Sequence, residues 1–151
     1  MKILLVSDSH GNNMALDILY HKYPKMDLYL HAGDNEASEW SIWPFQSVKG
    51  NCDHFGDYPE HMKLPIPGGY LWMQHHPSVL IEDLKRHQVR LFIYGHTHRR
   101  DYGIREGIYF VNPGAISFAR DDYYGSYAII EINEDKIDVN FYQLEGENDE
   151  E

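Results

Sequence analysis

Residues 91–100 read LFIYGHTHRR: an apolar run from Leu91 to Tyr94, a glycine, then two histidines separated by one threonine. The run is short and ends at Gly95, so it predicts a buried strand of the kind that fills the sheets of α/β proteins. His96 and His98 stand where that strand stops. Residues two apart on an extended chain point to the same side, about 6.5 Å from each other. The pair can therefore grip one metal ion or two neighbouring ones.

Four other apolar runs end the same way. Asp8 and His10 follow ILLVS, Asp34 follows LYLHAG, Asn51 follows SVKG, and His75 follows YLWMQ. In open α/β sheets, ligands bind beyond the carboxyl ends of the strands, so five chain segments would deliver these groups to one rim. Gly33, Gly50 and Gly95 each directly precede a candidate ligand, where a missing side chain lets the backbone come close to an ion. Seven ligands exceed what one transition metal takes and suit two ions sharing a bridging carboxylate. Oxygen and nitrogen donors without sulfur favour Mn, Fe, Ni or Zn over calcium.

The intervening segments complete an α/β pattern. In GNNMALDILYHKYP, Leu16, Leu19, Tyr20 and Tyr23 follow helical spacing, Asn12 is a cap and Pro24 a stop. Strand, helix and DLYLHAGD predict a crossover to a parallel neighbour. SVLIEDLKRHQ predicts a second helix, with Ser78 as its cap. After Asp101 the texture changes to hairpins, one turning at Glu106 and Gly107 and one at NEDK. Ile137, Val139 and Phe141 alternate with polar neighbours, as in a half-buried antiparallel strand. The expected fold class is α/β, a two-sheet β-sandwich flanked by helices. One domain is expected over residues 1–144, with residues 145–151 as an acidic, solvated tail.

At 151 residues and 42% hydrophobic content, the chain suits one sizeable core. A formal net charge of −11 opposes non-specific binding to nucleic acid or an anionic membrane. The initial apolar run is too short for a signal segment or a membrane span. Cys52 is the single cysteine, which excludes an intrachain disulfide and fits a cytoplasmic location. Two divalent ions against only two anionic ligands, Asp8 and Asp34, leave surplus positive charge: a local anion trap in an acidic protein. Phosphoester hydrolysis is the matching chemistry, with the ions holding the phosphate while a metal-bound hydroxide attacks in line.

SDSHGN, HAGD, GNCD, QHH and GHTH, in that order, resemble the signature of the calcineurin-like metallophosphoesterase superfamily, and GNCD, NPGA and SYAIIEI are similar to its small bacterial and archaeal phosphodiesterase branch. The resemblance runs from Met1 to about Leu144 and implies a sandwich fold and dinuclear phosphodiesterase activity. It implies that Asp8, His10, Asp34 and His98 hold one ion, and that Asp34, Asn51, His75 and His96 hold the other, with Asp34 as the bridge. Manganese is the first expectation, with nickel, iron or zinc as alternatives, and a homo-oligomer is implied by the same resemblance. Cys52 occupies the place where many relatives have a histidine that protonates the leaving group or contacts phosphate; His76 or His54 is the candidate replacement. Arg120 is a phosphate contact by resemblance or a surface ion-pair former. Asn12 touches phosphate or caps its helix, and Asp53 orients a site group or caps a turn. His31 is expected beside the site or in the core, and Cys52 as a packed residue, not a nucleophile. The alternatives are a phosphomonoesterase, or a non-catalytic interaction scaffold like the retromer subunit of similar fold.

Overall fold

The structure, a computed structural model, describes residues 1–123 and 125–144. The chain runs β1 (Lys2–Val6), α1 (Asn13–Lys22), β2 (Leu28–His31), a 3-10 turn (Glu39–Ile42), β3 (Gln46–Ser47), β4 (His61–Ile66) and β5 (Gly69–Gln74). It continues with α2 (Ile81–Arg86), β6 (Val89–Ile93), β7 (Arg100–Arg105), β8 (Ile108–Pro113), β9 (Ser126–Ile132) and β10 (Ile137–Gln143). Two mixed five-stranded sheets form, in the orders β10-β9-β1-β2-β3 and β4-β5-β6-β8-β7. β1, β2 and β3 run parallel in the first sheet, and β5, β6 and β8 run parallel in the second.

Alternation along the central strands explains the layers. Ile3 and Leu5 of β1 meet Leu71, Met73, Leu91 and Ile93 between the sheets. Leu4 and Val6, pointing the other way, pack against Leu16 and Leu19 of α1. On the far side, Phe92 of β6 packs with Leu84 of α2. A strand segment sandwiched on both faces is apolar on both, which is why β1 reads as apolar from Ile3 to Val6 and β6 from Leu91 to Ile93. The result is a β-sandwich with a helix on each outer face. Asn12 caps α1, its Oδ1 accepting from the Ala15 N–H at 3.3 Å. Both hairpins turn where expected, at Glu106–Gly107 and across residues 133–136.

Two expectations need correction. α2 is a six-residue helix starting at Ile81, and Leu80, not Ser78, precedes it without a side-chain cap. Ser78 is committed to the preceding loop: its N–H donates to His76 Nδ1 and its carbonyl accepts from Gln74 Nε2. The sequence reading also passes over β4, whose Pro65 argues against a strand. β4 lies at a sheet edge and pairs with β5 alone, so proline's missing N–H breaks no second ladder. The expected acidic tail lies outside the described residues. Among the described residues, no helix is long and apolar enough to cross a membrane.

Candidate metal centre

Every candidate ligand sits on a turn that leaves the carboxyl end of a strand. Asp8, His10, Asp34, Glu36, His96 and His98 all have positive φ, between 48° and 74°. Such a conformation costs a non-glycine residue about 1 kcal/mol or more and persists only where the surroundings hold it. Backbone bonds do so here. The Asp8 N–H donates to the Gly33 carbonyl (3.0 Å), and the His10 N–H to that of Asp34 (2.9 Å), lacing the loop after β1 to the loop after β2. Close approach also requires bare glycines: a Cβ on Gly50 would lie 2.1 Å from Asp34 Oδ1, and one on Gly95 would lie 2.1 Å from Ser7 Oγ.

Three imidazoles are locked in one tautomer. His75 Nδ1 donates to the Ala32 carbonyl and His98 Nδ1 to the Phe118 carbonyl, each at 2.8 Å, while His10 Nδ1 donates to Glu36 Oε2 at 2.6 Å. In the neutral ring this leaves the Nε2 lone pair free, the state a metal ligand needs. The Nε2 atoms of His10 and His98 face each other at 3.4 Å. His75 Nε2 lies 3.2 Å from Asp34 Oδ2 and 3.0 Å from Asn51 Oδ1. The same Asn51 oxygen is 3.2 Å from His96 Nδ1.

Asp8 is fully buried. Its Oδ2 accepts from Ser7 Oγ and the His96 N–H, whereas Oδ1 has no hydrogen-bond partner among the described residues. That oxygen lies 3.4 Å from His98 Nε2 and 3.9 Å from His75 Nε2. A buried carboxylate oxygen facing two ring nitrogens calls for positive charge between them, a metal ion or a ring proton. Electrostatics point the same way. Burial pushes the Asp34 carboxyl up, but the bonds from His75 and the Cys52 N–H outweigh it and hold the group at about 2. The Asp8 carboxylate facing its ring raises His98 against its burial. For His75, burial pulls down and the Asp34 bond and Asp8 charge pull up, with a net rise. His96 is lowered by burial and by the neighbouring imidazoles of His75 and His76.

All seven sequence-predicted ligands thus converge. Asp8, His10 and His98 bring ligand atoms within 4.8 Å of one another, as do Asp8, Asp34 and His75, so the two groups adjoin. This nitrogen and oxygen donor set, with its unpaired Asp8 oxygen, fits divalent metal ions. The remaining candidates lie further out. His76 is exposed at the rim, its ring 5.0 Å from that of His96. Arg120 is exposed, and its N–H donates to the His98 carbonyl. Asn12 acts as the helix cap described above. Beside the centre opens a cavity of about 510 Å3, lined by Asn51, His75, His76 and His96 and reaching Lys49 and His61. His31 is buried, bonded to Ser9 Oγ and the Gly33 N–H. Burial, with Asp34 and Glu36 nearby, raises the Cys52 thiol, against a nucleophilic role. The sequence reading missed Glu36, which orients His10; no spacing rule marks it, because its position depends on a positive-φ turn.

A model of the calcineurin-like phosphoesterase superfamily domain matches residues 1–135. The chain belongs to the calcineurin-like phosphoesterase superfamily. Among its relatives is the probable metallophosphoesterase YsnB of Bacillus subtilis (strain 168), 29% identical over an alignment covering 97% of this chain and 93% of the relative. A predicted phosphoesterase from Streptococcus pneumoniae TIGR4 has a similar crystal structure, with a TM-score of 0.86 at 28% identity, covering 95% of this chain and 89% of that one. Vps29 from Entamoeba histolytica, solved with zinc, shares the fold at 21% identity and a TM-score of 0.75, covering 98% of this chain and 95% of that one.

Proposed function

We propose that the chain is a metal-dependent phosphoric ester hydrolase acting on a small phosphodiester. The observation that carries this reading is the convergence of seven nitrogen and oxygen donors, with the Nε2 lone pairs of His10, His75 and His98 free and Asp8 Oδ1 unpaired. Asp8, His10, Asp34 and His98 hold one ion, and Asp34, Asn51, His75 and His96 the other, with Asp34 as the bridge. Manganese is the first candidate and nickel, iron or zinc the alternatives; when bound, two such ions supply positive charge for the phosphoryl oxygens and acidify a water. The chain's own groups do the rest. Glu36, Ala32 and Phe118 keep three imidazoles in the ligating tautomer, and Arg120 sets a cation near the mouth. His76, at the rim beside His96, is placed to meet a leaving group. The diester preference is supported by the phosphodiesterase-like motifs and by a cavity with room for an organic arm beside the phosphate. One domain over residues 1–144, a cytoplasmic location suited to the single cysteine, and a homo-oligomer belong to the same reading.

Assays of bis- and mono-nitrophenyl phosphate, on protein stripped of metal and reloaded with Mn2+ or Ni2+, test it. The diester should be cleaved faster, and only by reloaded protein. Faster cleavage of the monoester would favour a phosphomonoesterase. Metal uptake with neither ester hydrolysed would favour the non-catalytic scaffold.

A further inference from the structure

The geometry points to Asp53 as the positioning residue that sets both halves of the centre, an inference resting on the metal-centre reading above. Asp53 is buried, with 4% exposure. Its Oδ2 accepts from the backbone N–H groups of Asp34 (2.9 Å) and Gly50 (2.8 Å), and its Oδ1 from that of Glu36 (2.7 Å). Charge-assisted bonds of this kind are short and directional, and here they fix three backbone positions at once. Each of the three leads to a ligand. The Asp34 carboxylate faces His75 at 3.2 Å, Gly50 carries Asn51, and Glu36 holds His10 Nδ1 at 2.6 Å. Asp34 and Glu36 have φ of +61° and +51°, a backbone they keep only under restraint. Asp53 therefore reaches the Asp34, Asn51 and His75 group through one oxygen, and the His10 group through the other.

This division makes Asp53→Asn selective. An asparagine has one acceptor oxygen, which is best used on the side where two N–H groups converge. Its NH2 then faces the Glu36 N–H, donor against donor, and releases Glu36 and His10 alone. Losing an orienting partner lowers metal affinity by about tenfold to a hundredfold.

The test is calorimetric titration of the metal-stripped full chain with Mn2+, with far-UV circular dichroism confirming the fold of each sample. Wild type should bind two ions. Asp53→Asn should weaken the ion of the Asp8, His10 and His98 group by that factor and spare the other. A merely structural role would lower thermal stability without distinguishing the ions. Wild type taking up no Mn2+ would overturn the metal-centre reading, and this inference with it. Two ions in wild type, with both unchanged or both equally weakened in folded Asp53→Asn, would overturn the role of Asp53 alone. Should Asp53→Asn fail to fold, Glu36→Ala, on an exposed side chain and leaving His10 Nδ1 without its acceptor, carries the test: it must weaken the same ion, and unchanged binding refutes the proposal.

Discussion

Acidifying the metal-stripped protein should remove about 3 kcal/mol of stability between about pH 6.5 and pH 4 through His31, with the lowered His96 adding to the loss in the same sense. His31 has no solvent exposure; the Gly33 N–H donates to its Nδ1 at 3.1 Å, so Nε2 carries the proton and donates to Ser9 Oγ at 2.8 Å. A proton on Nδ1 would set N–H against N–H in a dry site. Burial accordingly pulls the imidazole from 6.5 down to about 4. The sign follows: below 6.5 the unfolded chain holds a proton that the folded one refuses, so stability falls with pH until the folded group titrates near 4. At 1.36 kcal/mol per pH unit the loss is about 2 kcal/mol by pH 5 and about 3 kcal/mol in full. His75 and His98 act in the opposite sense. Their raised values add stability as pH falls toward 6.5, a gain complete before the His31 window opens. Asp34, held at about 2, loses its contribution only below its ordinary 3.8. Urea unfolding of wild type and His31→Asn across this range, in chelator, isolates the effect, because asparagine keeps an acceptor for the Gly33 N–H without titrating. The variant should be less stable at neutral pH but decline with acid by about 3 kcal/mol less than wild type, the lowered His96 leaving it a residual slope. Parallel curves would refute the reasoning.

Gly95→Ala places a Cβ 2.1 Å from Ser7 Oγ and 2.9 Å from Asp8 Oδ2, so overpacking should lower unfolding stability by about 1–3 kcal/mol; an unchanged denaturation midpoint would count against the close approach. Asp34→Asn should leave a folded chain that retains neither ion and hydrolyses no ester, read by elemental analysis after dialysis; a full metal complement would contradict the bridge. Asn12→Ala should cost about 1 kcal/mol through the lost α1 cap, seen as a lower melting temperature.

Much of this molecule is legible in the sequence because its strong signals are local. β1 from Ile3 and β6 from Leu91 are apolar on both faces, α1 carries cap, stripe and stop, and the β10 alternation reports one buried face. β4 is not legible, since edge strands tolerate the proline that usually argues against a strand. The extent of α2 is hidden for a different reason: Ser78 is consumed by Gln74 and His76, and nothing in its neighbours announces that competition. At the site, the ligand positions follow from strand ends and glycines. Their orientation does not, because it depends on carbonyl acceptors at Ala32 and Phe118 and on the Glu36 carboxylate, brought in from distant loops.

The central claim is a two-ion centre built by these seven side chains. Anomalous diffraction from crystals soaked in Mn2+, recorded at the manganese edge, tests it most directly. The account predicts two peaks per chain, one touching Asp8, His10 and His98, the other Asn51, His75 and His96, with Asp34 between them. No peak at these residues, or a single one at saturating Mn2+, would contradict it.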